Sequence, residues 1–201
     1  MQIAETNLAF RSKLTRRSRT SYIVLHHAGA SRCTVYDVHQ WHLNRVEPDG
    51  TRWLGIGYHF FVDKAGRVYR GRPQDTVGAH CPGYNANSVG ICCEGNYEWE
   101  YMPPAQWKAV LELIEELKRM YPRAKVVGHR DLIPTKCPGQ FFPLAELKAG
   151  RGPVERRDTK VEQLDQTLDW QVGYQNAVFT SLVSQIPAAA TRGVYCPLGP
   201  V

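Results

Sequence analysis

Apolar positions recur along this chain with two different periods, and the places where the period changes divide it into elements. The run YIVLHH at 22–27 is short, dense in β-branched and aromatic residues, and reads as a buried strand with two histidines at its end. Val35, Val38, Trp41 and His42 then fall at helical spacing behind Thr34, a residue type that caps helices, and a turn at Pro48–Gly50 closes that region. In GIGYHFFVDKAGRVYRGR two β-rich runs flank Asp63–Gly66, which predicts a hairpin with Tyr58 near its start. A loop containing Gly and Asn, GAHCPGYNANS from Gly78 to Ser88, leads into the strand VGICCEG. The stretch AQWKAVLELIEELKRMY sets Trp107, Val110, Leu111, Ile114, Leu117 and Met120 at the spacing of an amphipathic helix. AKVVGH reads as a strand ending at His129, and the irregular segment RDLIPTKCPGQFFP comes after it.

Strands alternating with helices predict an α/β fold, a central mixed β-sheet flanked by helices, over residues 20–149. The linker-like KAGRGPVERRD ends it, and beyond it Val161, Leu164, Leu168, Val172, Phe179, Leu182 and Ile186 predict a C-terminal helical extension within 150–201. That tail is short for an independent domain and reads as a helix docked on its own domain or as a dimer contact. Residues 1–20 read as a basic N-terminal arm, because Arg11–Arg19 carries five cations in nine residues.

Composition narrows the function classes. The chain has 43% hydrophobic and 22% charged residues, the balance of a folded domain. It carries 25 basic against 19 acidic residues, a net charge of +6, which favours polyanionic partners. The basic run has no interleaved aromatic on which bases would stack, so nucleic acid is not an expected partner. The opening residues MQIAETNLAFRSKLTRRSRT contain no apolar signal core, and no apolar run approaches membrane-spanning length, which predicts cytoplasmic synthesis without membrane insertion. In that reducing compartment the six cysteines read as metal ligands or buried side chains rather than disulfides, and Cys81, Cys92 and Cys93 read as buried.

Three segments end in candidate zinc ligands: the first strand at His26 and His27, the late strand at His129, and the subsequent loop at Cys137. Catalytic zinc takes three protein ligands from nitrogen and sulfur donors and keeps a fourth position open. Pro134 and Pro138 hold the residues before them extended, so Thr135 shares the face of Cys137 while Lys136 points away. The same strand parity lets only one of His26 and His27 face the site.

The blocks VLHHAGA, GIGYHFFVDKAGRVYRGR, VGAHCPGYNANSVGICCEG and VVGHRDLIPTKCPG, in this order and spacing, resemble the zinc-dependent N-acetylmuramoyl-L-alanine amidases, a family that includes phage lysozyme-type amidases and animal peptidoglycan recognition proteins. The resemblance spans about residues 20–145. It implies that His26, His129 and Cys137 hold one Zn²⁺, that Tyr58 is the active-site tyrosine, and that Thr135 occupies a slot the family fills with lysine or threonine. It also implies that His80, with Asn85 nearby, contacts substrate. The implied activity is hydrolysis, by zinc-activated water, of the amide joining N-acetylmuramic acid to the L-alanine of the peptidoglycan stem. The simplest such protein is a phage or prophage endolysin that reaches the wall once the inner membrane is breached. Two rival readings use the same fold: a metal-free peptidoglycan-binding module, against which the three retained ligands argue, and a protein-binding regulator. The tail then gains a third reading, as a wall-targeting element.

Overall fold

The computed structural model describes residues 1–153, so the tail helix expected from Val161 onward lies outside the described residues. In chain order the elements are β1 (Ile3–Ala4), β2 (Tyr22–His27), α1 (Val35–Asn44), β3 (Phe60–Val62), β4 (Val68–Arg70), β5 (Ser88–Cys93), α2 (Pro104–Met120), β6 (Lys125–Gly128) and α3 (Leu144–Lys148). The strands form one six-stranded mixed sheet in the order β1-β4-β3-β5-β2-β6. Only β3 and β4, the predicted hairpin, pair antiparallel; β2 runs parallel to both of its neighbours, β5 and β6.

Alternation along the strands builds two cores. Ile23, Leu25, Phe60, Val62, Val89 and Ile91 point to the face covered by α2. Phe61 and Cys92 point to the opposite face, where Val35 and Val38 of α1 and Ile56 meet them. Strand β5 is buried along its whole length, as a parallel strand covered on both faces should be, and this accounts for its two adjacent buried cysteines.

Helix α1 begins where expected, with Thr34 and Asp37 forming a reciprocal capping box. Its buried stripe is Val35, Val38 and His39, so Trp41, expected on that stripe, sits well round the helix from its centre and remains 46% exposed. Helix α2 starts with Pro104, whose missing N–H costs nothing in the first turn, and buries Ala109, Val110, Leu113, Ile114 and Leu117. Trp107 and Leu111 pack at the edge of that core, and Met120 is exposed. Its first turn is pinned by Gln106, which is fully buried, donates to the carbonyls of Val62 and Glu94 and accepts from the Tyr97 hydroxyl.

The first twenty residues are not a free arm. They belong to the same compact unit as the sheet, Met1–Pro153. Residues Ile3–Ala4 add an edge strand to β4, and Arg16 bridges Thr76. Val77 donates to the Thr15 carbonyl, and Arg17 turns inward to donate to the carbonyls of Gln74 and Thr76. The other four cations of the run stay exposed, so the charge is solvated while the backbone is bound. The physical reason is that backbone carbonyls and amides of the 74–77 segment need partners, which this strap supplies. No helix among the described residues is long and apolar enough to cross a membrane.

Leu113 is fully buried between α2 and the sheet. Leu113→Ala is expected to cost about 2–5 kcal/mol of stability, read as a lowered urea midpoint, while leaving activity per folded molecule unchanged because the residue lies on the sheet face opposite His26.

Candidate metal centre

The register of the sheet decides which side chains meet. Leu25 of β2 pairs with Gly128, the last residue of β6, so His129 emerges from the sheet directly beside His26. A 3₁₀ turn at His129–Asp131 then reverses the chain, capped by Asp131, whose carboxylate accepts the Gly128 N–H at 2.9 Å. The Arg130 N–H donates to the Cys137 carbonyl at 3.0 Å, closing the loop and returning the thiol to the two imidazoles. Of the adjacent histidines, His26 shares a sheet face with Cys92, whereas His27 lies on the other face and accepts the Tyr97 N–H. Carboxyl ends of parallel strands are where open α/β sheets place their sites.

His26, His129 and Cys137 each offer a donor atom, and the three atoms lie within 4.8 Å of one another. His26 Nδ1 and Cys137 Sγ are 3.7 Å apart; the corresponding edge of a zinc tetrahedron, from its bond lengths, is about 3.6 Å. His129 Nε2 is buried with no hydrogen-bond partner among the described residues, a state proteins rarely leave uncompensated. Burial drives His26 well below the ordinary histidine value, assisted by the neighbouring His129 and His27, and burial lowers His129 as well. Both imidazoles therefore present lone pairs at neutral pH. Burial pushes the Cys137 thiol up to about 12, so it stays protonated until a cation arrives. Two neutral nitrogens and a displaceable thiol proton fit a zinc ion.

The Tyr58 ring lies 5.0 Å from the His26 ring and 5.5 Å from that of His42. Burial raises its phenol well above the usual range, so it stays protonated, an O–H donor on a ring beside the cluster. Thr135 is exposed and its hydroxyl oxygen accepts the Cys137 N–H at 3.2 Å, which ties it to the ligand loop; Lys136 is exposed.

Two expected substrate contacts are placed elsewhere. His80 is buried at 6% exposure with its ring nitrogens directed at His26 Nε2, 3.0 Å away, and at Ser88 Oγ, 3.4 Å away, so neither nitrogen is free for substrate. The Asn85 carbonyl oxygen accepts the backbone N–H groups of His80 and Cys81 at 2.8 and 2.9 Å, making it a clamp on the loop. The sequence pattern did not single out Ser88. Its signal was the parity of β5, which sets Ser88, Gly90 and Cys92 on the His26 face. His39, His42 and His59 each accept a backbone N–H through Nδ1 and serve the fold.

Residues 16–140 match the family model of N-acetylmuramoyl-L-alanine amidase. The chain belongs to this amidase family. The endolysin of Klebsiella phage KP32 is 38% identical over 135 residues, covering 63% of this chain and 85% of the relative. Peptidoglycan-recognition protein SC1a of Drosophila melanogaster is 31% identical over 130 residues, 59% of this chain and 68% of the relative. Among solved structures, the N-acetylmuramoyl-L-alanine amidase LysC from Clostridium intestinale superposes with a TM-score of 0.68 at 37% identity, covering 74% of this chain and 96% of that one. N-acetylmuramoyl-L-alanine is the junction of glycan and stem peptide, so the amidase is a peptidoglycan hydrolase.

Metal uptake at this cluster would carry a pH signature. Its imidazoles are already neutral at pH 7 and release nothing, whereas the Cys137 thiol, pushed up to about 12, must lose its proton. Zinc binding is therefore expected to release about one proton per ion and to weaken about tenfold for each pH unit lowered. Calorimetric titrations in buffers of different ionisation enthalpy measure both.

Proposed function

We propose that the chain is an endolysin-type amidase that hydrolyses the N-acetylmuramoyl-L-alanine bond with one zinc ion held by His26, His129 and Cys137, and that it acts on the wall after release from the cell. The observation that carries this reading is the convergence of those three donors at the carboxyl edge of the sheet, with His129 Nε2 unpartnered. The same observation argues against a module that only binds. When bound there, zinc acidifies a water and polarises the amide carbonyl.

The protein's own groups do the rest. Two imidazoles and one thiolate leave a fourth direction open for the reactants. Tyr58, kept protonated by burial, donates its hydroxyl hydrogen to the oxygen of the amide as negative charge develops there. Thr135 accepts the Cys137 N–H through its oxygen, which leaves its hydroxyl hydrogen available as a second donor. Its backbone contact fixes the loop at the same time, so this threonine both orients the thiol and faces the substrate.

Purified protein incubated with bacterial cell walls is expected to expose new L-alanine amino termini, to stop on addition of a chelator, and to resume with zinc. Wall binding with no released termini would replace hydrolysis with a binding role. Tyr58→Phe is expected to retain zinc and lose turnover by the equivalent of about 3–4 kcal/mol in the barrier; a fully active variant removes Tyr58 from the chemistry. Cys137→Ala is expected to lose both metal and activity, which metal analysis and the wall assay read together.

A further inference from the structure

Behind His26, on the side away from Cys137, runs a line of buried polar groups that the hydrolysis itself does not touch. His26 Nε2 lies 3.0 Å from His80 Nδ1, His80 Nε2 lies 3.4 Å from Ser88 Oγ, and Ser88 Oγ lies 2.7 Å from the Tyr84 carbonyl oxygen. The three side chains are 1%, 6% and 0% exposed, so water does not compete for these bonds.

The far end of the line sets its polarity. A carbonyl only accepts, so the single hydroxyl hydrogen of Ser88 goes to Tyr84. The Ser88 oxygen can then only accept, which requires the hydrogen to sit on His80 Nε2. A buried imidazole with no carboxylate against it, among the described residues, holds one ring proton. His80 Nδ1 is therefore bare and accepts from His26 Nε2–H. By the same count His26 Nδ1 is bare, and this is the atom that faces Cys137 Sγ at 3.7 Å.

Packing around His80 fixes the position of the ring that makes these bonds. A Cβ built on Gly90 would come within 2.7 Å of the His80 ring, and one on Gly78 within 2.5 Å. Neither glycine has a positive φ, so backbone conformation does not require glycine at either position; the ring does. Asn85 holds the backbone that carries the ring by accepting the N–H of His80. The imidazole is boxed on the strand side and tethered on the loop side, and its plane is determined before any metal binds.

We propose that His80 and Ser88 are positioning residues that select the His26 tautomer offering Nδ1 to the metal, with the Tyr84 carbonyl as the anchor of the relay. Partners of this kind orient a ligand and raise its basicity, and their loss costs about 10–100-fold in metal affinity. The inference rests on the metal centre described above, and the tests separate the two.

In metal-free protein, long-range ¹⁵N–¹H correlation spectra report which ring nitrogen carries each proton. Both His26 and His80 are expected to be protonated at Nε2 and bare at Nδ1; a proton on Nδ1 of either ring overturns the relay without recourse to any variant. Zinc affinity, measured by competition with a chromogenic chelator, supplies the second arm. His80→Phe keeps the ring volume but removes the acceptor, and is expected to weaken zinc about 10–100-fold. Ser88→Ala should weaken it less. His80→Asn, whose carbonyl occupies the Nδ1 position, should restore binding to within about threefold of the parent, since it restores the direct partner of His26. Folded Phe and Ala variants that bind zinc as the parent does refute the relay, and so does an Asn variant as weak as the Phe variant. Parent protein that takes up no zinc refutes the metal centre instead.

Discussion

The cluster of His26, His129 and Cys137 exists because β2 lies parallel between β5 and β6. Since all three strands run the same way, their carboxyl ends lie along one edge, and the residues leaving each strand are delivered to the same place. His26 comes from the last pair of residues of the central strand, and His129 from the first residue beyond its neighbour. Cys137 returns to them through a turn closed by its own backbone. The hydrophobic core acts on this site indirectly: α2 buries one face of the sheet and leaves the register no freedom to slip, since a one-residue slip would exchange His26 for His27.

The same burial that secures the register also prepares the chemistry. Removed from water, the imidazoles are neutral and the thiol is protonated, so the edge carries donors without charge until a cation is present. The strain-free way to hold such a cluster is to satisfy every nitrogen that does not face the cation, and the His80, Ser88 and Tyr84 line does that for His26. Gly78 and Gly90 make room for it. Stability, electrostatics and ligand orientation thus meet on the face of β5 that bears Ser88, Gly90 and Cys92.

The N-terminal strap supplies backbone partners to the same region. Thr15, Arg16 and Arg17 pair with the segment 75–77, which leads into the loop carrying His80. Arg17 reaches the Thr76 carbonyl, to which His59 also bonds at 2.9 Å, and His59 Nδ1 in turn accepts the N–H of Gly90. The strap therefore braces the support of the metal centre from behind, with its remaining cations in solvent.

Local sequence was enough to specify the class of fold, the hairpin, the long helix and the three donors that cluster. Those features arise from local periodicity, from turn residues at Asp63–Gly66, and from the order of His26, His129 and Cys137 in blocks shared with a known family. Three other matters were settled only in three dimensions. His80 was expected to contact substrate from the family resemblance, and Asn85 from its nearness in sequence, yet the sheet register turns His80 onto His26 and leaves Asn85 bonded to backbone. The basic run looked like a free arm because its side chains are charged, yet backbone pairing, which side-chain type does not reveal, binds it to the domain. Trp41 looked buried because it keeps helical spacing, yet the face of α1 that meets the sheet is chosen by the strands below it. Local pattern reports which residues share a face; only long-range pairing determines what that face meets.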